Sequence, residues 1–227
     1  MRSTLPSSDG RHHATASGAP ATSGSAPFDT DQPTSFSRAV APPRALRQPS
    51  PNGVLRAVAA VGLVIGALLG MAGSFAPSAE LRGLAWTIDG VALVVASALL
   101  AVHHLRRGDE QLAAGFLVFL AGETLIVSGS AMDLAAVAPT FSAGAGLWSA
   151  ALALVSASRT MPSFVRATGM IAAVLLAVPA VQIAAGARLT PLSEPLPFFA
   201  FPFLATTLVG WAWAHWRPTS TPSPLLR

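Results

Sequence analysis

Two acidic residues, Asp89 and Glu123, lie deep inside stretches of the chain that are otherwise free of charge. A carboxylate at the centre of a membrane helix costs about 2.5 to 3.5 kcal/mol if it faces lipid, so such a residue is expected to face a protein interior or water. Two carboxyls that face each other share a proton or bind a cation between them, because their like charges repel and neither is well solvated. The pair is therefore a candidate intramembrane acidic site for a proton relay or for cation binding.

A structural interpretation of the same two residues stays open. Asp89 would then lie near the outer membrane interface, where water hydrates it, and Glu123 would be protonated and hydrogen-bonded to a neighbouring hydroxyl or carbonyl. The rise of 1.5 Å per helical residue puts Asp89 about 25 Å from Arg106 and Glu123 about 20 Å from Glu110. If these are adjacent antiparallel helices, the two carboxyls lie within about one helical turn of each other in depth.

Other chemical signatures are weak or missing. His103, His104 and His215 fall at predicted helix ends, where two of them could act as axial ligands of a haem, but the sequence has no second such pair and no His-Glu-x-x-His motif. The chain contains no cysteine, which excludes disulfides and thiolate chemistry. No Gly-x-Ser-x-Gly elbow, P-loop or Gly-x-Gly-x-x-Gly motif occurs. We therefore predict no catalytic residues, no metal site, no cofactor and no enzymatic activity.

The spacing of charged residues defines the elements that must position the acidic pair. The 227 residues are 52% hydrophobic and only 11% charged, which is more apolar surface than a soluble domain of this length can bury. Uncharged or nearly uncharged intervals of 21 to 25 residues recur from Arg56 onward, and about 20 apolar residues suffice for a helix to cross the bilayer. The predicted spans are 57–77, 83–105, 112–132, 138–158, 167–187 and 196–216.

The backbone in hydrocarbon must satisfy its own hydrogen bonds, so spans of this length are helices. The sequence thus predicts an all-α polytopic membrane protein, with a six-helix transmembrane bundle in residues 54–217. Residues 1–53 contain 8 of the 19 prolines and few large apolar side chains. We predict that they form a disordered N-terminal tail and that residues 218–227 form a short C-terminal tail.

The arginines predict the orientation. Ten of them lie on the side of the predicted bundle that holds both termini, whereas only Arg82 and Arg188 lie on the other side. By the positive-inside rule both tails are cytoplasmic. The chain has no lysine and is rich in alanine, which is typical of a GC-rich bacterial genome and points to a bacterial inner membrane. The arginines flank apolar runs and do not cluster with aromatic residues, so we expect a lipid bilayer and not nucleic acid as the partner.

Glycines recur at helical spacing in two predicted spans, a pattern that allows close packing of membrane helices. These candidate packing residues are Gly62, Gly66 and Gly70 in the first span and Gly115, Gly122 and Gly129 in the third. They could pack against a second copy of the chain or another membrane protein, but we favour packing within one chain because a six-helix bundle requires such faces. Pro179 and Pro202 are predicted to kink the fifth and sixth spans.

The segment Ser158-Arg159-Thr160-Met161-Pro162, followed by Gly169 in an alanine-rich helix, resembles a helix–turn–helix piece of uncharacterised multi-pass bacterial membrane proteins. The resemblance covers about a fifth of the chain and implies a six- or seven-helix bundle with no residue roles. Two functions remain open from sequence. The favoured one is a small non-enzymatic membrane module that binds, regulates or scaffolds; the alternative is a transporter or channel for a proton, cation or small solute that uses Asp89 and Glu123.

Overall fold

The structure, a computed structural model, describes residues 51–129, 133, 135–196 and 198–217. Within these ranges it is all-helical, in agreement with the predicted class. The six helices are α1 (Pro51–Ser74), α2 (Ala79–Leu105), α3 (Glu110–Gly129), α4 (Ala138–Ala157), α5 (Ser163–Ala184) and α6 (Ala200–Trp216). Most of the predicted N-terminal tail, residues 1–50, and the predicted C-terminal tail lie outside the described residues. Residues 51–53, which we assigned to the tail, begin α1 instead.

Five helices, α1 to α5, are long and apolar enough to cross a membrane. The sixth has 17 residues, at the lower end of the range of about 17 to 25 that a spanning helix needs. It begins at Ala200 and not near residue 196. Pro202 therefore lies in the first turn of α6, where a backbone N–H would make no intrahelical hydrogen bond in any case. Pro179, in contrast, lies within α5, which continues to Ala184. Length and composition thus support five of the six predicted spans.

The six described helices form a closed ring. Each helix packs against the next one in the chain, and α1 packs against α6, whereas the backbones of helices on opposite sides of the ring do not approach each other closely. The interior must therefore be filled by large side chains. The largest fully buried ones include Trp211, Phe116, Phe119, Leu63, Leu93 and Leu176.

The outer surface of the ring is also apolar. Leu68 on α1 is 63% exposed, Leu117 on α3 53% and Val181 on α5 68%. A water-soluble bundle would not present such side chains on most of its helices, because large exposed apolar patches are unfavourable in water. Lipid is the solvent that suits this surface, which supports a membrane location.

Arginines gather at one end of the ring, which we call the basic end: it carries Arg56, Arg106, Arg107, Arg159, Arg166 and Arg217. Two of them, Arg56 and Arg166, donate to carbonyls at helix ends. The guanidinium of Arg56 on α1 donates to the carbonyl of His215 at 2.6 and 2.9 Å and also to the carbonyl of Arg217. The Arg166 Nε donates to the Ser156 carbonyl at 2.8 Å. These bonds satisfy carbonyls at the ends of α6 and α4 and place positive charge at the negative ends of the helix dipoles.

Glycines allow the closest helix contacts in the ring. A Cβ added at Gly62 on α1 would lie 2.9 Å from the Ala92 carbonyl oxygen on α2. On α3, a Cβ at Gly115 would lie 2.6 Å from Val155 and one at Gly129 2.3 Å from Val137. The six candidate packing glycines therefore face neighbouring helices, or the segment that leads into one, within the same chain.

We predict that Gly122→Ala lowers the free energy of unfolding by about 1 to 3 kcal/mol, because overpacking forces backbone shifts. Its Cβ would lie 2.9 Å from both the Gly144 carbonyl oxygen and Trp148. Gly146→Ala is the matched control, because the nearest atom to its Cβ is 3.9 Å away, on Ala180; it should be neutral or stabilise by up to about 1 kcal/mol. Unfolding of both variants in detergent checks this, and equal effects would contradict the packing described.

Candidate functional site

Asp89 lies on α2 and directs its carboxyl toward the glycines of α1. A Cβ added at Gly70 would lie 2.9 Å from Asp89 Oδ2, and one at Gly66 would lie 3.1 Å from Asp89 Oδ1. The side chain is 8% exposed. Gly70 thus makes room for the carboxyl between the two helices, whereas Gly66 makes room chiefly for the Leu93 side chain, with Asp89 Oδ1 close by.

Glu123 lies on α3 and approaches α2 one residue beyond Asp89. Its Oε1 is 3.1 Å from the position that a Cβ would take at Gly90, and the side chain is only 1% exposed. Because Gly90 directly follows Asp89 in α2, this contact brings the Glu123 carboxyl to the turn of α2 that carries Asp89. The structure therefore holds the two acids on neighbouring helices in the ring interior.

The acidic pair is incompletely satisfied. Asp89 Oδ1 and Glu123 Oε2 are buried and have no hydrogen-bond partner among the described residues. The indole of Trp148 lies beside Glu123, but its N–H meets no acceptor in hydrogen-bond geometry. Neither acid takes part in an ion pair within the described part of the chain. Buried polar atoms are nearly always partnered, so these atoms indicate a place for a proton, water or bound cation.

A cavity of about 70 Å³ adjoins Asp89. This volume is several times the roughly 10 to 15 Å³ that a cavity needs to hold one water molecule. Its described walls come from α1, α2, α3, α4 and α6, together with Pro191, in the half of the ring away from the basic end. They are Gly66, Ala67, Gly70, Met71, Trp86, Asp89, Leu93, Ile126, Val127, Gly129, Val137, Phe141, Trp148, Pro191, Phe201, Leu204, Ala205 and Leu208. The cavity is thus an apolar space with an acid at its wall.

Four aromatic side chains fill the interior next to the cavity, and we call them the aromatic plug: Phe116, Phe119, Trp148 and Trp211. Phe119 stacks on Trp148 with ring centroids 5.8 Å apart, and its edge meets Trp211 at 5.7 Å. Phe116 and Trp211 are in edge contact at 5.2 Å. Because these rings are at most 5% exposed, they close the ring between the acidic pair and the basic end.

Three buried histidines lie beyond the aromatic plug, at the basic end. His215 Nδ1 is 2.7 Å from the Trp211 carbonyl, which can only accept, so Nδ1 carries the proton. Its Nε2 lies 2.9 Å from His104 Nε2, which must therefore be the donor when both rings are neutral. His104 Nδ1 is then free to take a proton opposite Asp109 Oδ2, 3.7 Å away. His103 completes the cluster, with its ring centroid 5.3 Å from that of His104.

Sequence reasoning anticipated part of this arrangement. It singled out the acidic pair and the histidines, but it did not predict that Trp148 would adjoin Glu123 or that Trp211 and two phenylalanines would separate the two polar regions. The only feature of the sequence that pointed to these contacts was the position of Trp148 in the middle of its predicted span. Among the described residues no group of three or more His, Asp or Glu side chains could hold a metal ion.

Comparison of the chain with protein-family models, with curated proteins and with solved structures finds no match. The function must therefore be argued from the site alone.

We predict that a hydrophobic carbodiimide labels Glu123 or Asp89 in detergent-solubilised protein. The reagent requires a protonated carboxyl in an apolar place, and a buried carboxyl without a cationic partner is neutralised by a proton. Mass spectrometry of peptides locates the adduct. The exposed Glu110 on the same helix as Glu123 is the internal control and should stay unlabelled. Labelling of Glu110 alone would contradict the prediction. It would show that the two interior acids are either ionised or out of reach of a reagent in the apolar phase.

Proposed function

We propose that the chain is a six-span protein of a bacterial inner membrane, with both termini in the cytoplasm, whose acidic pair binds a cation in exchange for a proton. The sixth span is supported by the ring itself. The described α6 packs against both α1 and α5 and, at 17 residues, is about 25 Å long. A helix that closes a ring of spanning helices shares their depth, and without it the ring interior would open to lipid.

The orientation rests on the arginines. Six lie at the basic end, where α1 begins and α6 ends, against Arg82 and Arg188 at the opposite end. Basic residues next to membrane helices remain preferentially on the cytoplasmic side.

The native chain lacks cysteine, so single cysteines can test this topology. Thr160→Cys in the α4–α5 loop should resist a membrane-impermeant maleimide in intact cells, whereas Ala187→Cys beyond α5 should react; both positions are exposed. A C-terminal tag should be protected as well. Reversed cysteine labelling would overturn the orientation, and a tag accessible from outside together with the expected labelling would reduce the count to five spans.

The observation that carries the function is a pair of buried carboxyl oxygens without a hydrogen-bond partner among the described residues, one on Asp89 at the cavity wall and one on Glu123 of the neighbouring helix. Ionisable residues inside a membrane protein are costly and are retained where they move or bind ions. Two acids held together cannot both bear a charge without a counter-ion. The site therefore alternates between a proton and a bound cation, and this exchange is the elementary step of a proton-coupled transporter for a small cation.

A second candidate is a one-sided binding module in the same membrane, with a regulatory or scaffolding role. The aromatic plug favours it, because its rings fill the interior between the acidic pair and the basic end. If the plug does not move, a bound cation returns to the side from which it came. A second copy or another membrane protein is then the expected partner.

Proteoliposomes that contain a trapped pH dye separate these functions. Transport predicts that an inward gradient of sodium, potassium or tetramethylammonium raises the internal pH as protons leave. Asp89→Asn and Glu123→Gln should lose at least nine-tenths of this signal, and Glu110→Gln at the basic end is the matched control that keeps it. If the protein binds a cation in detergent but the internal pH of the proteoliposomes does not change, the one-sided module is supported. If the protein neither binds a cation nor changes the internal pH, the proposed function is overturned.

A further inference from the structure

The chemistry of the cavity wall indicates which class of cation fits. Of the 18 described residues that line the cavity, only Asp89 has a side-chain oxygen. The remaining side chains are aliphatic or aromatic or belong to glycine, methionine or proline. With Glu123 nearby, the protein offers at most four carboxyl oxygens to a ligand.

Hard inorganic cations require more oxygens than this wall provides. Calcium takes six to eight oxygen ligands and magnesium an octahedron of six. The Gly70 carbonyl, next to Asp89, already accepts from Ser74 Oγ at 3.1 Å and from Trp86 Nε1 at 3.3 Å.

Aromatic faces supply what an organic cation needs. Trp86, Phe141, Trp148 and Phe201 line the cavity from three helices, α2, α4 and α6. Such rings attract an ammonium group through their negative faces and most strongly when water is excluded. Phe141 is 2% exposed and Trp148 5% exposed, so the part of the wall that they form is dry.

Size adds a further constraint. A cavity of about 70 Å³ is several times the minimum for one water molecule and admits only a small ligand. A tetramethylammonium ion has about five heavy atoms, and its methyl groups match an apolar wall better than a hydration shell does.

We propose that the cavity binds a small alkylammonium cation, with its charge at Asp89 and Glu123 and its alkyl groups against the aromatic wall. This inference rests on the proposed function, because it names the cation that displaces the proton. Binding of one such cation releases one proton from the acidic pair, so the charge of the site is balanced in both states.

Calorimetric titration of the full chain in nanodiscs tests the ligand class with four probes: tetramethylammonium, tert-butanol as an uncharged match of similar size, sodium and potassium. Tetramethylammonium should bind at least tenfold more tightly than each of the other three. Its affinity should rise as the pH is raised, because the ion cannot lose a proton and competes with protons for the carboxyls.

Variants assign the contacts. Asp89→Asn and Glu123→Gln should each weaken tetramethylammonium binding at least tenfold, and Phe141→Leu by about threefold to tenfold, since it removes a ring but keeps an apolar side chain. Glu110→Gln should bind as the native chain does. If a variant fails to fold, the native protein still provides the test: tetramethylammonium should protect the interior acids from the hydrophobic carbodiimide, and tert-butanol should not.

The outcomes separate this inference from the proposed function. Carboxyl-dependent binding of sodium or potassium without tetramethylammonium overturns the alkylammonium class and leaves cation exchange standing. Equal binding of tetramethylammonium and tert-butanol shows an apolar cavity without charge recognition and overturns the inference as well. If none of the cations binds and none displaces a proton, both proposals fail.

Discussion

A ring of six helices leaves a central space that backbone contacts cannot fill, and this constraint governs the interior. Packed helices lie about 8 to 10 Å apart, and the backbones of helices across the ring do not approach each other closely. Side chains must span the difference, so the largest buried residues are aromatic or leucine. Where large side chains meet, the ring is closed by the aromatic plug. Where glycines line α1, space remains, and the cavity and the Asp89 carboxyl occupy it.

The glycines of α1 therefore act differently at different depths. At Gly62 the missing side chain lets α1 approach the backbone of α2 at Ala92. At Gly70 the same absence admits the Asp89 carboxyl, and at Gly66 it admits the Leu93 side chain together with the edge of that carboxyl. A buried acid is tolerated only if its cost is offset by a partner or a ligand. One sequence pattern thus produces tight packing on the side nearer the basic end and a polar site further along the same helix.

The sequence predicts the membrane class because charge-free stretches of bilayer length reflect a simple physical requirement. It also predicts the depth of Asp89 and Glu123, since helical rise is constant. It cannot predict which way each helix turns about its axis, and this rotation decides whether two acids meet. Trp148 and Trp211 show the same limit, because their approach to Phe119 depends on contacts between residues far apart in the chain. The start of α6 at Ala200 also differs from the predicted span, since charge-free length does not distinguish a helix from the turns that precede it.

The two polar regions of the interior differ in how they are satisfied. At the basic end, His215 and His104 are joined to each other and to the Trp211 carbonyl, and Asp109 faces the remaining ring nitrogen. Near the cavity, Asp89 and Glu123 keep oxygens without partners. An unpaired buried polar atom costs about 1 to 3 kcal/mol, so the cavity end is the less stable of the two as it stands. A ligand that satisfies the carboxyls gains most where the protein has left its polar atoms unpaired, which is why binding is expected at the acidic pair and not at the histidines.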